Sequence, residues 1–216
     1  DGGPGDAAIK FEGCLLNGNK SSYGVACEAG SFFRFTRSSI MNTKGWGINF
    51  NATGEGEVIN CVIMGFESAT TNGVRFAKDG GANIIRNTVI TNCVTGLNNM
   101  GTGTASNDYN NFYDNGTNYD GFAAGPNSIS ADPLFVAPGA ADFRLSAGSP
   151  CIDAGDPSDP VPAFGGAVVD IGPIEFGSSA STPALGDDIW VDANDGDDSN
   201  SGTSATDAFA TIARGL

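Results

Sequence analysis

Short apolar pairs recur along the first half of the chain, separated by stretches rich in Asn, Thr, Ser and Gly. Leu15-Leu16, Ile40-Met41, Val62-Ile63, Val89-Ile90 and Phe112-Tyr113 begin 25, 22, 27 and 23 residues apart. A second marker keeps the same drifting period. Gly24-Val25, Gly47-Ile48, Gly73-Val74 and Gly96-Leu97 are separated by 23, 26 and 23 residues, each following its apolar pair. A period of 22 to 27 residues, with two or three short strands per turn, predicts a β-solenoid. No helical periodicity runs between residues 1 and 130, which sets aside repeats that carry a helix per unit. Successive turns are expected to stack at ~4.8 Å. They would align Leu15, Ile40, Val62, Val89 and Phe112 as one inward column. Asn17, Asn42, Asn92, Asn110 and Asn111 fall at or near the ends of the first strand. Asn tolerates left-handed backbone and bonds its neighbours, so these positions predict the corners. A β-sandwich is the competing arrangement, and it would need hairpin turns that the chain lacks between matched strands.

The pattern changes after Tyr119. An ordered series follows: Asp132-Pro133-Leu134-Phe135, Asp142-Phe143-Arg144-Leu145, Gly148-Ser149-Pro150-Cys151-Ile152-Asp153-Ala154-Gly155 and Asp170-Ile171-Gly172-Pro173-Ile174-Glu175. This series closely resembles the C-terminal end of many secreted bacterial parallel β-helix proteins, with Cys151 in place of the usual small residue. The resemblance implies a segment that caps the C-terminal mouth and lies along the outside of the last turns. Residues 178 to 187 are small, polar and proline-containing, and read as a linker. Beyond them, Ile189, Trp190 and Val191 predict a strand, and an Asp/Gly/Ser loop follows. Ser204 stands where a helix N-cap belongs, with Asp207 three residues on. Phe209, Ile212 and Leu216 then mark one apolar helix face. This segment resembles the N-terminal cap of right-handed parallel β-helix proteins of the pectate-lyase-like class, where it comes first. The expected organisation is therefore a right-handed parallel β-helix with its C-terminal cap (1–177), a linker (178–187) and a displaced N-terminal-cap-like segment with one short helix (188–216).

Composition narrows the partners. The chain has 216 residues, 25 acidic and 10 basic, for a net charge of −15. Nucleic acid and anionic membrane surfaces need a basic footprint and are poor partners. Divalent cations suit the charge, which also serves solubility. No run of 18 apolar residues is present to span a membrane as a helix. With no histidine, Ser-His-Asp and Cys-His catalysis cannot be assembled within the chain. Five cysteines, none in a CxxC pair, argue against zinc, and the odd count leaves at least one without an internal partner. Cys14 and Cys61 share a column two turns apart, too far for a disulfide. The first residue is Asp, so the chain reads as a mature or excised piece, and the resemblance implies a secreted or cell-surface location.

Four groups of residues are candidates for chemistry. The loop of Asp192, Asn194, Asp195, Asp197 and Asp198 offers oxygen ligands for calcium. Its spacing does not follow an EF-hand, and the resemblance favours a plain turn there. Asp153, Asp156 and Asp170 are a carboxylate set of the kind that hydrolyses glycosides. The resemblance implies instead that they hold turns by accepting backbone N–H bonds. Arg75, Lys78 and Arg86, with Arg34, Arg37 and Lys44, are basic positions. Lyases of this fold class pair such a base with calcium on uronate polymers; solvated surface charge is the competing reading. Arg37 and Arg86 align as equivalents and predict an outward basic stripe. Trp46, Phe50, Phe66, Phe76, Tyr109 and Tyr113 would stack on sugars if exposed and on one another if internal.

The segment order carries the functional expectation. The chain is a circular permutant, a window of a tandem array, or a subunit whose cap closes the mouth of the next copy through Ile189, Trp190, Val191, Phe209, Ile212 and Leu216. Residues 1–10 carry no cap-like helix, so the first turn is expected to present strand edges, which template association. Donation of an element to a different surface builds an open head-to-tail rod. The leading expectation is an extracellular structural or adhesion subunit. The alternatives are a lyase or glycosidase acting on acidic polysaccharide, and non-catalytic carbohydrate binding.

Overall fold

The computed structural model describes residues 8–17, 23–27, 32–41, 43–51, 55–65, 72–76, 82–101, 104–162 and 165–177. The chain divides into two units, Asp1–Gly177 and Ser178–Leu216, and every described residue belongs to the first. The linker, the acidic loop at Asp192 to Asp198 and the cap-like strand and helix lie outside the described residues.

Each turn of the chain contributes three short strands. The first holds β1 (Ala8–Glu12), β2 (Leu15–Asn17) and β3 (Tyr23–Cys27). The second holds β4 (Phe32–Thr36), β5 (Ser39–Met41) and β6 (Trp46–Phe50), and the third β7 (Glu55–Ile59), β8 (Val62–Met64) and β9 (Asn72–Phe76). Then come β10 (Ala82–Arg86), β11 (Val89–Thr91) and β12 (Thr95–Asn99), and last β13 (Thr104–Asp108), β14 (Asn111–Tyr113) and β15 (Thr117–Asp120). Strands of like position stack into three five-stranded sheets, β1-β4-β7-β10-β13, β2-β5-β8-β11-β14 and β3-β6-β9-β12-β15, here called the first, second and third sheets. The pairing is parallel in all three, as in β4 on β7, β8 on β11 and β9 on β12. The protein is an all-β parallel β-solenoid, as the drifting period predicted. The described residues contain no α-helix, only a 3-10 turn at Pro138–Ala140 between the antiparallel β16 (Phe135–Ala137) and β17 (Asp142–Leu145).

The inward column of the second sheet differs from the predicted one by a slip in register. Leu16, Ile40, Ile63, Ile90 and Phe112 are aligned. Leu15, Val62 and Val89 belong to the adjacent, outward column, with Ser39 and Asn111. A step of one residue turns a side chain to the opposite face. The apolar pairs hid this because both members of β8 and β11 are buried, each against a different core.

The glycine series was in true register. Val25, Ile48, Val74, Leu97 and Tyr119 form one column, with Gly24, Gly47, Gly73 and Gly96 beside them. These glycines allow close approach between turns. A Cβ on Gly47 would sit 2.8 Å from the Gly73 carbonyl oxygen, and one on Gly73 only 2.5 Å from that of Gly96. A Cβ on Gly24 would likewise meet the Gly47 carbonyl.

The interior is filled by aligned side chains. Phe11 stacks on Phe35 at 4.8 Å, and Phe50 on Phe76 at 5.2 Å, with rings within 6° of parallel. The rung spacing delivers equivalent rings face to face. The first corner of each turn has left-handed backbone at Gly13, Arg37, Asn60, Asn87 and Tyr109. Of the asparagines predicted at corners, Asn92 adopts this backbone. Asn110 and Asn111 act through their side chains instead. Asn110 accepts from the Thr88 N–H at 3.0 Å and donates to the Ile85 carbonyl at 2.8 Å. Asn42 is outside the described residues.

A second core lies on the outward face of the second sheet. Met41, Val62, Met64 and Val89 pack there against Phe143, Leu145, Cys151 and Ile171. The described residues between 131 and 176 form a strap over this face, carrying Phe143, Leu145, Cys151 and Ile171. At the C-terminal end Ile129 continues the second sheet beyond β14, its N–H donating to the Asn110 carbonyl at 2.7 Å. Phe122 closes on Phe76 edge to face at 5.4 Å.

Candidate functional site

The carboxylates of the strap converge on backbone. Asp170 Oδ1 accepts from the Asp153 N–H at 2.7 Å, and Oδ2 from the Phe176 N–H at 2.5 Å. The Asp170 N–H donates to both carboxylate oxygens of Glu175, at 3.3 and 3.2 Å. Asp153, whose own backbone is left-handed, accepts from the Val168 N–H at 3.0 Å. Asp156 accepts from the Ser158 N–H at 2.9 Å and hydroxyl at 2.7 Å. These groups tie together the described residues beyond β17, whose N–H groups are not in a sheet. Asp170 is 1% exposed and Glu175 9%. Burial raises the proton affinity of both. In Glu175 burial acts first and the Asp170 charge second, and together they push it up to about 7 against the opposing Asp170 N–H bond and the weaker pull of Arg37. Glu175 is the functional-looking residue that sequence reasoning missed. Its only signal was its place at the end of the Asp170–Glu175 motif.

The basic residues do not form a stripe. Arg86 faces outward on β10 and is aligned with Ile59 and Asp108. Arg37 sits one position further on, in a left-handed corner. Arg34 pairs with Glu57 at 2.6 Å, and Arg86 with Asp159 of the strap at 2.7 Å. Arg75 lies over the Trp46 ring at 4.4 Å, with Nε 3.1 Å from the Met100 sulfur. Lys44 is exposed at a corner, and Lys78 is outside the described residues. The predicted aromatics divide similarly: Phe50 and Phe76 are core, while Trp46, Tyr109 and Tyr113 are half-buried. Phe66 is outside the described residues.

All five cysteines are free thiols. Cys61 and Cys93 are buried, and burial pushes both up to about 12; it pushes Cys151 up to about 11. Such thiols are poor nucleophiles and behave as small core residues. No group of three or more His, Cys, Asp or Glu side chains able to hold a metal occurs among the described residues.

The two ends of the solenoid differ. At the C-terminal end, Asp108 Oδ1 accepts from the Asn127 N–H at 2.7 Å, Asn107 accepts from the Gly125 N–H at 3.2 Å, and Ile129 covers β14. At the other end β1, β2 and β3 are the terminal strands of their sheets, each paired on one side among the described residues. Their apolar side chains reach the surface: Ile9 is 46% exposed and Leu15 55%. The strap covers the outward face of the second sheet at Met41, Val62 and Val89, and Leu15 lies on the turn before them. This end face is the candidate interface. No family model, no curated protein and no solved structure matches this chain.

Proposed function

We propose that this chain is an extracellular structural subunit that assembles head to tail into a rod. The carrying observation is the first turn, where among the described residues three parallel strands are each paired on one side only, with Ile9 and Leu15 exposed beside them. Edges of this kind recruit another strand or a covering element. The occupant is the segment 188–216 of the next copy or of the next repeat. It would offer Ile189, Trp190 and Val191 to the strand edges and Phe209, Ile212 and Leu216 to the mouth. A heterologous contact between two different surfaces does not close on itself, so it propagates. The acidic loop Asp192 to Asp198 would sit at the junction, where calcium could screen a chain of net charge −15.

The test is electron microscopy and sedimentation velocity on the purified chain, with calcium and with chelator. Rods are expected, and deletion of residues 188–216 is expected to leave monomers. Uniform monomers of the full chain in both conditions, or rods that survive the deletion, would sink the reading.

A further inference from the structure

The end of the strap is closed by carboxylates that face one another. Asp170 bridges the segment through its two oxygens, with the Asp153 N–H on one and the Phe176 N–H on the other. Glu175 accepts the Asp170 N–H across both of its own oxygens, at 3.3 and 3.2 Å. The turn at Gly165 lies against it, since a Cβ there would be 3.2 Å from Glu175 Oε2. The charged groups facing Glu175 are Asp170 and Asp153 of the strap and Arg37 of the corner between β4 and β5. Two acids and one base thus surround the side chain of a residue that is 9% exposed. Burial disfavours its charged form, and the like charges add to that. An open strap end would return the carboxylate to water and relieve both.

The strap is anchored to the turns at two places of different chemistry. Asp159 takes the Arg86 guanidinium and the Asn87 amide, both at 2.7 Å, and bonds to a charged group are the stronger kind. The later anchor is made at neutral backbone. The Gly172 N–H donates to the Asn87 carbonyl at 2.9 Å, and Asn60 Nδ2 reaches the Asp170 and Gly172 carbonyls at 3.3 and 3.5 Å. The Ile171 N–H donates to the Cys151 carbonyl at 3.0 Å, and its side chain joins the second core.

We propose that residues 169–177 form a pH-gated latch, shut while Glu175 carries a proton and released from the second core as a local unit when that proton passes to solvent. Release takes Ile171 from Cys151, and takes Gly172 from Val89, whose Cγ2 lies 3.9 Å from the Gly172 Cβ position. Val89 and Val62 belong to the outward column that starts at the exposed Leu15, so the apolar face lengthens, and the buried Cys151 thiol becomes reachable. The Asp159 anchor keeps the rest of the strap in place. The shut latch holds the Glu175 proton up to about 7, while the open one releases it near 4.5. The opening constant therefore climbs between these values and levels off above them, by on the order of a hundredfold in all. The latch is a property of one chain and does not depend on rod formation.

Amide hydrogen exchange of the full chain at pH 4.5, 6 and 8, with each rate divided by its intrinsic value at that pH, tests it. Ile171 and Gly172 are expected to lose about a hundredfold in protection from pH 4.5 to pH 8. Val62 and Val89, whose N–H groups bond the Ser38 and Cys61 carbonyls of the preceding turns, should keep theirs. Alkylation of Cys151, normalised to the unfolded chain, should follow Ile171. Glu175→Gln keeps an acceptor for the Asp170 N–H and cannot ionise, so it should remove most of the pH dependence. Arg37→Asn installs the residue of the Asn60 and Asn87 corners, removes the facing cation and should carry the rise beyond pH 7. Equal protection of Ile171 at all three pH values, a parallel loss at Val62 and Val89, or an unaltered slope in the Glu175→Gln chain would each overturn the proposal.

Discussion

At the scale of single residues, the column of glycines decides how closely the turns approach. Gly73 would place a Cβ 2.5 Å from both the Gly96 carbonyl oxygen and the Ile90 Cγ2, one of them rigid backbone and the other buried core. Neither can yield without moving a turn. Gly73→Ala is therefore expected to destabilise by about 1–3 kcal/mol through overpacking. Gly139 has nothing within 4 Å of its Cβ position, so Gly139→Ala serves as the matched control and should stay within about 0.5 kcal/mol. Denaturant unfolding of the two variants measures the difference. Equal stabilities would show that the turns are not held at contact distance. The corners follow a different logic. Asn60 and Asn87 take left-handed backbone at a position where another turn carries Gly13, the one residue type free of the Cβ penalty.

At the scale of elements, the strap determines how stability responds to pH. Glu175 ordinarily titrates near 4.5 and is pushed up to about 7 in the folded chain by burial and by Asp170. The folded chain therefore holds a proton that the unfolded chain releases between these values. The contribution of this group is complete below about 4.5 and is lost as pH rises through about 7. Asp170 shifts in the same direction, and Asp156, lowered chiefly by the Ser158 N–H bond, shifts in the opposite one. Glu175→Gln keeps an acceptor for the Asp170 N–H and cannot ionise. It is expected to raise the melting temperature at pH 8, leave it nearly unchanged at pH 4.5 and flatten the profile between. A wild-type profile that instead rises from pH 5 to pH 8 would contradict this account of the strap. The covalent distance between partners matters here: Asn60 and Asn87 bond to backbone and side chains of the strap at Asp170 and Asp159, so the turns and the strap unfold as neighbours.

At the scale of the whole molecule, a solenoid has a direction, and its two ends are chemically unlike. One end is covered by Ile129, Phe122 and the backbone around Gly125. Among the described residues the other ends on β1, β2 and β3, with Leu15 more than half exposed. Each turn of such a protein contacts only its neighbours, so a change at the first turn should affect association more than folding. Leu15→Asp is expected to leave the melting temperature within a few degrees and to reduce rod formation more than tenfold in sedimentation velocity, since it puts a charge on the proposed interface. Rods of unchanged length from the Leu15→Asp chain would place the contact elsewhere. Like-charged subunits also predict that rods lengthen with added salt, which screens repulsion at the junction.

The period and the glycine column were legible in the amino-acid sequence, because each is a local pattern repeated along the chain. Val25, Ile48, Val74 and Leu97 carry their register in the sequence, since a glycine precedes each one. Register in the second sheet was not legible. Val62-Ile63-Met64 and Val89-Ile90-Thr91 are apolar on both faces or nearly so, and a continuous apolar run does not say which member points inward. That was decided by the strap, which arrives from more than fifty residues away and converts an outer face into a second core. The pairing of Arg86 with Asp159 and the burial of Glu175 have the same origin. The sequence by itself determined that the chain winds as a β-solenoid, because repetition is a property of the chain alone. Only the tertiary structure decided what covers each face, because that depends on which distant segment folds back against it.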